Sequence, residues 1–504
     1  MVYGLWFEPQ KPETPKTKNP YLPPMNKRKA IPSHGQPAET ILAQMKEMKS
    51  GDPNWADGRT WSLVYHVDDE HRALMQKTAQ LFISESYANP FAVESIQRME
   101  LGLIGMTANL LNGEGSATGT VTSGGTESIL LALYAYREWA HSSRTGKKKN
   151  EIVAPATIHP AFEKAAHLLG LKVRKAPVDH LSRARIEEME KLITEKTLLL
   201  AVSAPSYPHG TLDPVEAASE LAQQYKLPLH VDACIGGFFL PWVEQLSPGS
   251  IPPWDFRLPG VTSISADTHK FGYGAKGSSV LLFRSMDYLR HQFFITTDWA
   301  GGIYASATLL GSRSAIPIAT AWAAMHSLGQ EGYLGITRNI LDGCARLRLG
   351  IEALPELAIL GEPCMNILAF TTRQNKPDIF VIADFLEEKG WVVDRQHRPN
   401  SIHLTVMQHN LPAIEPYLKD LQEAIAYARN NPDAKARGNA ALYGLMARIP
   451  LRSMVANNVR QLFEQLYGAE TAKSESPSGA SSQQMPNPPS WMGWLNRLLS
   501  GWRK

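Results

Sequence analysis

The stretch Val261-Thr-Ser-Ile-Ser-Ala-Asp-Thr-His-Lys270 decides how this chain is read. Residues 261–265 have the make-up of a short strand, and the run ends in Asp267, Thr268, His269 and Lys270. A lysine delivered at a strand end beside polar groups is placed to form an imine. Upstream, Leu227-Pro-Leu-His-Val-Asp232 ends another buried-looking strand in a carboxylate. Further upstream, Thr122-Ser-Gly-Gly-Thr-Glu-Ser128 opens a helical pattern.

Outward from these motifs, strands alternate with helices between residue 116 and about 315. Residues 151–154, 172–175, 197–203, 227–231, 263–265 and 278–283 read as short buried strands. That order predicts an α/β class fold with a mostly parallel sheet covered on both faces. Ligands in such sheets collect at the carboxyl ends of strands, where Asp232 and Lys270 fall. Helical patterns at 316–328 and 333–354 lead into a smaller C-terminal α/β domain with strands at 366–372, 391–394 and 401–405. The expected organisation is an extended arm (1–58), a helical segment (59–115), a large domain (116–320) and a small domain (321–470). A Ser/Pro-rich linker (471–490) and a Trp-rich tail (491–504) follow.

The chain has 504 residues, 43% of them hydrophobic, enough for two globular units. Its net charge of +3 gives no reason to expect a nucleic acid partner. Cys234, Cys344 and Cys364 are too widely spaced to suggest a disulfide framework or a zinc site, so no metal is expected. The first residues show no basic region followed by a long apolar run, and no stretch approaches 18 apolar residues. Neither a signal peptide nor a membrane span is expected, and a reducing, cytoplasmic setting fits.

The three motifs together form a coherent site. Gly124 and Gly125 allow close backbone approach, Thr126 adds a hydroxyl, and the helix start favours a phosphate dianion. Alone, they equally describe a capped helix with turn glycines. Asp232 could pair with a pyridine nitrogen, or merely cap a turn. His159, on a turn closed by Pro160, could stack on a ring face, or cap a helix. Lys270 must be neutral to attack, so its value of about 10.4 is expected to drop, with His269 a plausible contributor. An aldehyde anchor, a carboxylate and a phosphate cradle are what pyridoxal phosphate needs. Gly272-Tyr-Gly-Ala-Lys-Gly277 spells a dinucleotide fingerprint but leads into a strand, so it reads as a loop around Lys270.

The runs His230-Val-Asp-Ala-Cys-Ile-Gly-Gly-Phe238, Ser265-Ala-Asp-Thr-His-Lys-Phe-Gly-Tyr-Gly-Ala-Lys-Gly277 and Thr297-Asp-Trp-Ala-Gly-Gly-Ile-Tyr-Ala-Ser-Ala-Thr-Leu-Leu-Gly-Ser-Arg313 resemble sphingosine-1-phosphate lyase, over roughly residues 60–465. The resemblance implies the fold-type-I, aspartate-aminotransferase-like architecture, pyridoxal 5'-phosphate, and a homodimer with shared active sites. It also implies retro-aldol cleavage of the C2–C3 bond of phosphorylated sphingoid bases, giving a fatty aldehyde and phosphoethanolamine. It makes Lys270 the Schiff-base lysine, Asp232 the pyridinium partner, His159 the stacking histidine, and Gly124, Gly125 and Thr126 the phosphate loop. Ser312 would reach the cofactor phosphate of the other subunit, Lys276 would serve the substrate phosphate, and Tyr65 would line the wall. Proton acceptors left open are Lys270, Tyr65, Tyr207 and the cofactor phosphate.

Two departures stand out. Asn89-Pro-Phe-Ala92 replaces the family's Asn-Pro-Leu-His, removing a histidine, and Trp61-Ser-Leu-Val-Tyr65 replaces Ser-Gly-Ala-Val-Tyr. The membrane helix of animal members is also missing. The rival readings are a pyridoxal-phosphate-dependent amino-acid decarboxylase, against which Lys276 and Arg313 argue, and a scaffold that lost catalysis. In the tail, Trp491, Trp494, Leu495, Leu498, Leu499 and Trp502 fall near helical spacing with basic neighbours. That pattern suits peripheral membrane contact or packing on the body.

Overall fold

The computed structural model describes residues 30–88, 93–142, 149–434 and 452–467. The Asn89–Ala92 departure, the 471–490 linker and the 491–504 tail lie outside the described residues. Seven strands form the central sheet: β1 (Thr118–Thr122), β2 (Glu151–Pro155), β3 (Lys172–Ala176), β4 (Thr197–Ser203), β5 (Leu229–Asp232), β6 (Val261–Ala266) and β7 (Ser279–Phe283). Their spatial order is β1-β7-β6-β5-β4-β2-β3. From β6 to β3 all neighbours are parallel, while β7 runs antiparallel to both β6 and β1. Two antiparallel steps leave β1 pointing the same way as β6. The carboxyl ends of β1, β5 and β6 therefore share one edge, and each of the three sequence motifs follows one of those strands.

All residues of β4, β6 and β7 are buried, as expected of strands covered on both faces. The two-residue period sends Leu199 and Ala201 into the core that includes Phe162 and Leu133, and Leu200 and Val202 into the opposite core. β6 is unusually polar for a central strand. Its hydroxyls are satisfied sideways: Tyr136 Oη lies 2.7 Å from Thr262 Oγ1 and 2.8 Å from Ser263 Oγ. The His230 ring meets Ser263 Oγ at 2.8 Å and Ser265 Oγ at 3.2 Å. Buried polar groups persist only when paired in this way.

The smaller sheet holds β8 (Leu357–Ile359), β9 (Ile367–Thr372), β10 (Asp394–Gln396) and β11 (Ser401–Thr405) in the antiparallel order β8-β9-β11-β10. The strand expected at 391–394 begins instead at Asp394. Trp391 is buried, stacking at 6.1 Å on Trp61, and Val392 accepts from Trp61 N and donates to Arg59 O. The long helix Ile316–Glu352 joins the two sheets and is interrupted at Gly329, where φ is 55°. Residues 1–46 and 449–504 make a separate unit, in which helix Arg452–Tyr467 is described. Helix Ala38–Lys49 buries none of its residues. Among the described residues, no helix is long and apolar enough to cross a membrane.

Candidate active site

At the shared strand edge lies a cavity of about 670 Å³. Its lining includes Lys270, Asp232, His159, Gly124, Gly125, Thr126, His269, Tyr65, Lys276 and Tyr207. The order of the strands thus brings together residues far apart in sequence. Ser312 is the exception: it is exposed and does not line this chain's cavity. Arg313, named with Lys276 as a mark of a substrate phosphate site, is engaged elsewhere. Its guanidinium meets Glu100 at 3.2 Å, donates to the Val121 carbonyl and sits 4.9 Å over the Tyr87 ring.

Lys270 sits in the turn after β6, its Nζ 3.1 Å from Asp267 Oδ2. Burial alone would lower its pKa. The nearby Asp267 carboxylate outweighs this, helped by Cys234, Tyr65 and Asp232, and the amine is held above its ordinary value. The expected drop is therefore not seen, because a carboxylate only 2% exposed faces the ammonium. His269 helps little: burial lowers its own pKa, and its Nδ1 accepts from Ser278 N at 3.1 Å. Sequence spacing alone gives Asp267 no role. Only the turn, in which Lys270 N–H donates to Asp267 O, shows that the two side chains meet.

Asp232 closes β5 and is 7% exposed, with Oδ1 accepting from Cys234 N (3.1 Å) and Ser265 Oγ (3.4 Å). His159 is exposed at the cavity's open side, and its Nδ1 accepts from Ala161 N at 3.2 Å. Lys276 Nζ lies 4.3 Å over the Tyr65 ring and donates to the His269 carbonyl at 3.4 Å. Burial and the charge on Lys270, against an opposing effect of Asp267, lower its pKa to about 8. Burial pushes Tyr65 up to about 12. Burial and then Asp394, which accepts from the Tyr207 hydroxyl at 3.3 Å, raise Tyr207 as well.

The residues fit pyridoxal phosphate. Gly124 has φ of 142°, and a Cβ there would stand 3.2 Å from His269 Cε1. A Cβ on Gly125 would strike Cys234 Sγ at 2.6 Å and Asp267 Oδ1 at 2.9 Å, so only glycine lets the loop lie against the cavity floor. Helix Gly125–Ser142 begins there, and its first N–H groups have no intrahelical acceptor. Asp267 Oδ1 is buried without a hydrogen-bond partner. The Asp232 and Asp267 carboxylates share the floor with Lys270, a setting that suits a further protonated ring nitrogen.

Sequence reasoning passed over two residues besides Asp267. Glu127 reads as an ordinary first-turn acid. Here it accepts from Ser123 N at 2.7 Å and from Leu309 N at 2.9 Å, bracing the glycine loop. Leu63 stands at the rim, 71% exposed, with φ of 70°. Val64 N–H donates to the Ser62 carbonyl at 2.8 Å, making Leu63 the centre of a three-residue turn. Such a turn costs a residue bearing a Cβ about 1–2 kcal/mol.

The pyridoxal-dependent decarboxylase conserved domain matches residues 78–373. Sphingosine-1-phosphate lyase of Dictyostelium discoideum is 36% identical, over 90% of this chain and 84% of that protein. The Arabidopsis thaliana sphingosine-1-phosphate lyase is 38% identical, over 85% of this chain and 79% of its own length. The solved sphingosine-1-phosphate lyase of Burkholderia pseudomallei K96243 superposes with a TM-score of 0.78 at 38% identity, covering 86% of this chain and 97% of that one. Glutamate decarboxylase of Lactobacillus brevis, at 19% identity and a TM-score of 0.70 over 81% of this chain and 96% of that one, shares the fold.

Proposed function

This chain belongs to the pyridoxal-dependent decarboxylase family and, within it, to the sphingosine-1-phosphate lyases, and from that premise we propose how its own residues divide the work. It is a pyridoxal-phosphate-dependent carbon–carbon lyase that breaks the C2–C3 bond of a phosphorylated sphingoid base, giving a fatty aldehyde and phosphoethanolamine. The amino-acid decarboxylase reading loses ground, since the likeness to glutamate decarboxylase is one of fold. The observation that carries the reading is the meeting of Lys270, Asp232 and the glycine loop in one cavity with Lys276 on its wall.

Pyridoxal phosphate, when bound, supplies the sink for the electron pair left as C2–C3 breaks. Gly124, Gly125 and Thr126 would hold its phosphate, Asp232 its ring nitrogen, His159 its face and Lys270 its aldehyde carbon. Asp267 keeps a proton on Lys270 until the amine is called on, and fixes where that amine points. Tyr65 and Tyr207 hold their protons well above neutrality, so each donates a hydrogen bond rather than accepting the C3 hydroxyl proton. Of the acceptors the sequence leaves open, the Lys270 amine and the cofactor phosphate remain.

Lys276 also gives the test of substrate class. A lysine with pKa lowered to about 8 is charged below that pH and neutral above it. If its charge receives the substrate phosphate, kcat/KM should fall as pH rises through about 8, by up to tenfold per pH unit. The assay is aldehyde release from a phosphorylated long-chain base, followed by mass. Lys276→Arg, charged throughout, should flatten this fall. Lack of aldehyde, with carbon dioxide released from an amino acid instead, would return the decarboxylase reading. A wild-type profile flat from pH 7 to 10 would remove Lys276 from the phosphate site.

We propose further that two copies share their active sites. Support comes from Ser312, exposed and outside its own cavity, and from the adjoining ribbon of Phe294–Thr296 and Tyr304–Ser306. Ile295, Trp299, Ile303 and Leu309 are more than half exposed there. Mixing Lys270→Ala chains with chains crippled at Ser312 should restore some activity in heterodimers. Proven subunit exchange without recovery, from an impaired Ser312 parent, counts against sharing. The Trp-rich tail, residues 491–504, we place at the membrane surface where such a substrate resides, with the body in the cytoplasm.

A further inference from the structure

We propose that Leu63 is a specificity-determining residue, an apolar rim contact for the hydrocarbon chain of the substrate; this rests on the lyase reading above. The segment is pinned on one side by Trp61. Its indole is fully buried between Trp391 (6.1 Å) and Tyr417 (5.0 Å), while the backbone N–H of Trp61 donates to Val392 O and its backbone carbonyl accepts from Thr405 N at 2.7 Å. On the other side Tyr65 packs edge-on against Phe271 at 5.1 Å, within the turn that carries Lys270. Between these anchors the chain makes its tight turn, and Leu63 is carried to the mouth of the cavity.

Three observations point to a ligand there. A leucine with φ of 70° is strained where glycine would be free, so the anchored flanks maintain this conformation against a local cost. The side chain held there is apolar and 71% exposed, yet it lines the cavity that holds Lys270. Next to it, Ser62 is 3% exposed, lines the same cavity, and its hydroxyl has no hydrogen-bond partner. Lys276 stands on the Tyr65 ring, two residues along from Leu63, so a cation and an apolar side chain line the same cavity. Ile129, Ile235 and Pro205 continue an apolar lining within the cavity. A phosphorylated head and an aliphatic chain match that pairing of a cation with an apolar rim.

The test compares two phosphorylated sphingoid bases, one with a long chain and one cut to about six carbons, on the holoenzyme. Leu63→Ala should raise KM for the long base about three- to tenfold with kcat nearly unchanged, and shift KM for the short base less than twofold. Leu63→Gly removes the same contact and also relieves the turn, so it should show the same loss of chain-length selectivity. Equal KM changes for both bases, or none, overturn the proposal. So does a Leu63→Gly enzyme that keeps wild-type selectivity while Leu63→Ala loses it, since turn geometry would then be responsible. If the unaltered protein cleaves neither base, the lyase reading falls and takes this one with it.

Discussion

Lys270→Ala should reduce aldehyde release by about a thousandfold or more. The amine at Nζ is the chain's anchor for a carbonyl, and the residue also moves protons at the reacting carbons, a role that alone contributes roughly 10²–10⁴-fold. Its position is fixed by the 3.1 Å contact with Asp267 and by the turn after β6, so no neighbouring side chain can simply take its place. Lys276 is the nearest alternative, but its ammonium is held over the Tyr65 ring and on the His269 carbonyl. Borohydride should fix the cofactor to Lys270 in the unaltered protein, and mapping of the modified peptide reads the site. The variant should also lose stability, because Asp267, 2% exposed, is left without that cation. A variant that keeps turnover, or a peptide map that places the cofactor on Lys276, would reassign the anchor.

The strand ends were legible because they are short and sharply bounded. β4 and β7 fall within a residue of the expected 197–203 and 278–283, since runs such as Thr-Leu-Leu-Leu-Ala-Val-Ser have no polar face to confuse the period. The break in the long helix was legible too, at Gly329 between the two expected helical patterns. β1 was not. Thr118-Gly-Thr-Val-Thr122 carries a single large apolar residue, and it is a strand only because β7 pairs with it along its whole length. The ribbon of Phe294–Thr296 and Tyr304–Ser306 was not legible either: its strands are three residues long, pair with each other and are largely exposed, so no buried alternation marks them.

The site was legible as a set of motifs but not as an electrostatic arrangement. Spacing announces a lysine at a strand end, yet says nothing of which carboxylate will face it. A drop in the Lys270 pKa was expected from burial, and burial does act in that direction. What reverses the sign is Asp267, three residues earlier, and a turn rather than a sequence period aims it. Glu127 and Leu63 were missed for a related reason. Each matters through a partner or a backbone angle, Leu309 N for one and φ of 70° for the other, that no local pattern contains.

Asp232→Asn should lower kcat about a hundred- to a thousandfold, about 3–4 kcal/mol of barrier, while leaving the fold intact. The amide oxygen can still accept the bonds from Cys234 N and Ser265 Oγ, so the end of β5 keeps its geometry. What disappears is the negative charge, and that charge is what would keep a ring nitrogen protonated and able to draw electrons from the breaking bond. The rest of the floor cannot compensate. Asp267 already faces Lys270, burial pushes the Cys234 thiol well above its ordinary value, and burial holds the His230 imidazole at about 4, hence neutral. The cofactor's absorbance and its affinity, measured by dialysis and reconstitution, separate a lost charge from a lost site. The expected result is retained but spectrally altered cofactor with collapsed turnover. An Asp232→Asn enzyme with more than half the wild-type kcat would show that the carboxylate serves only to cap the strand.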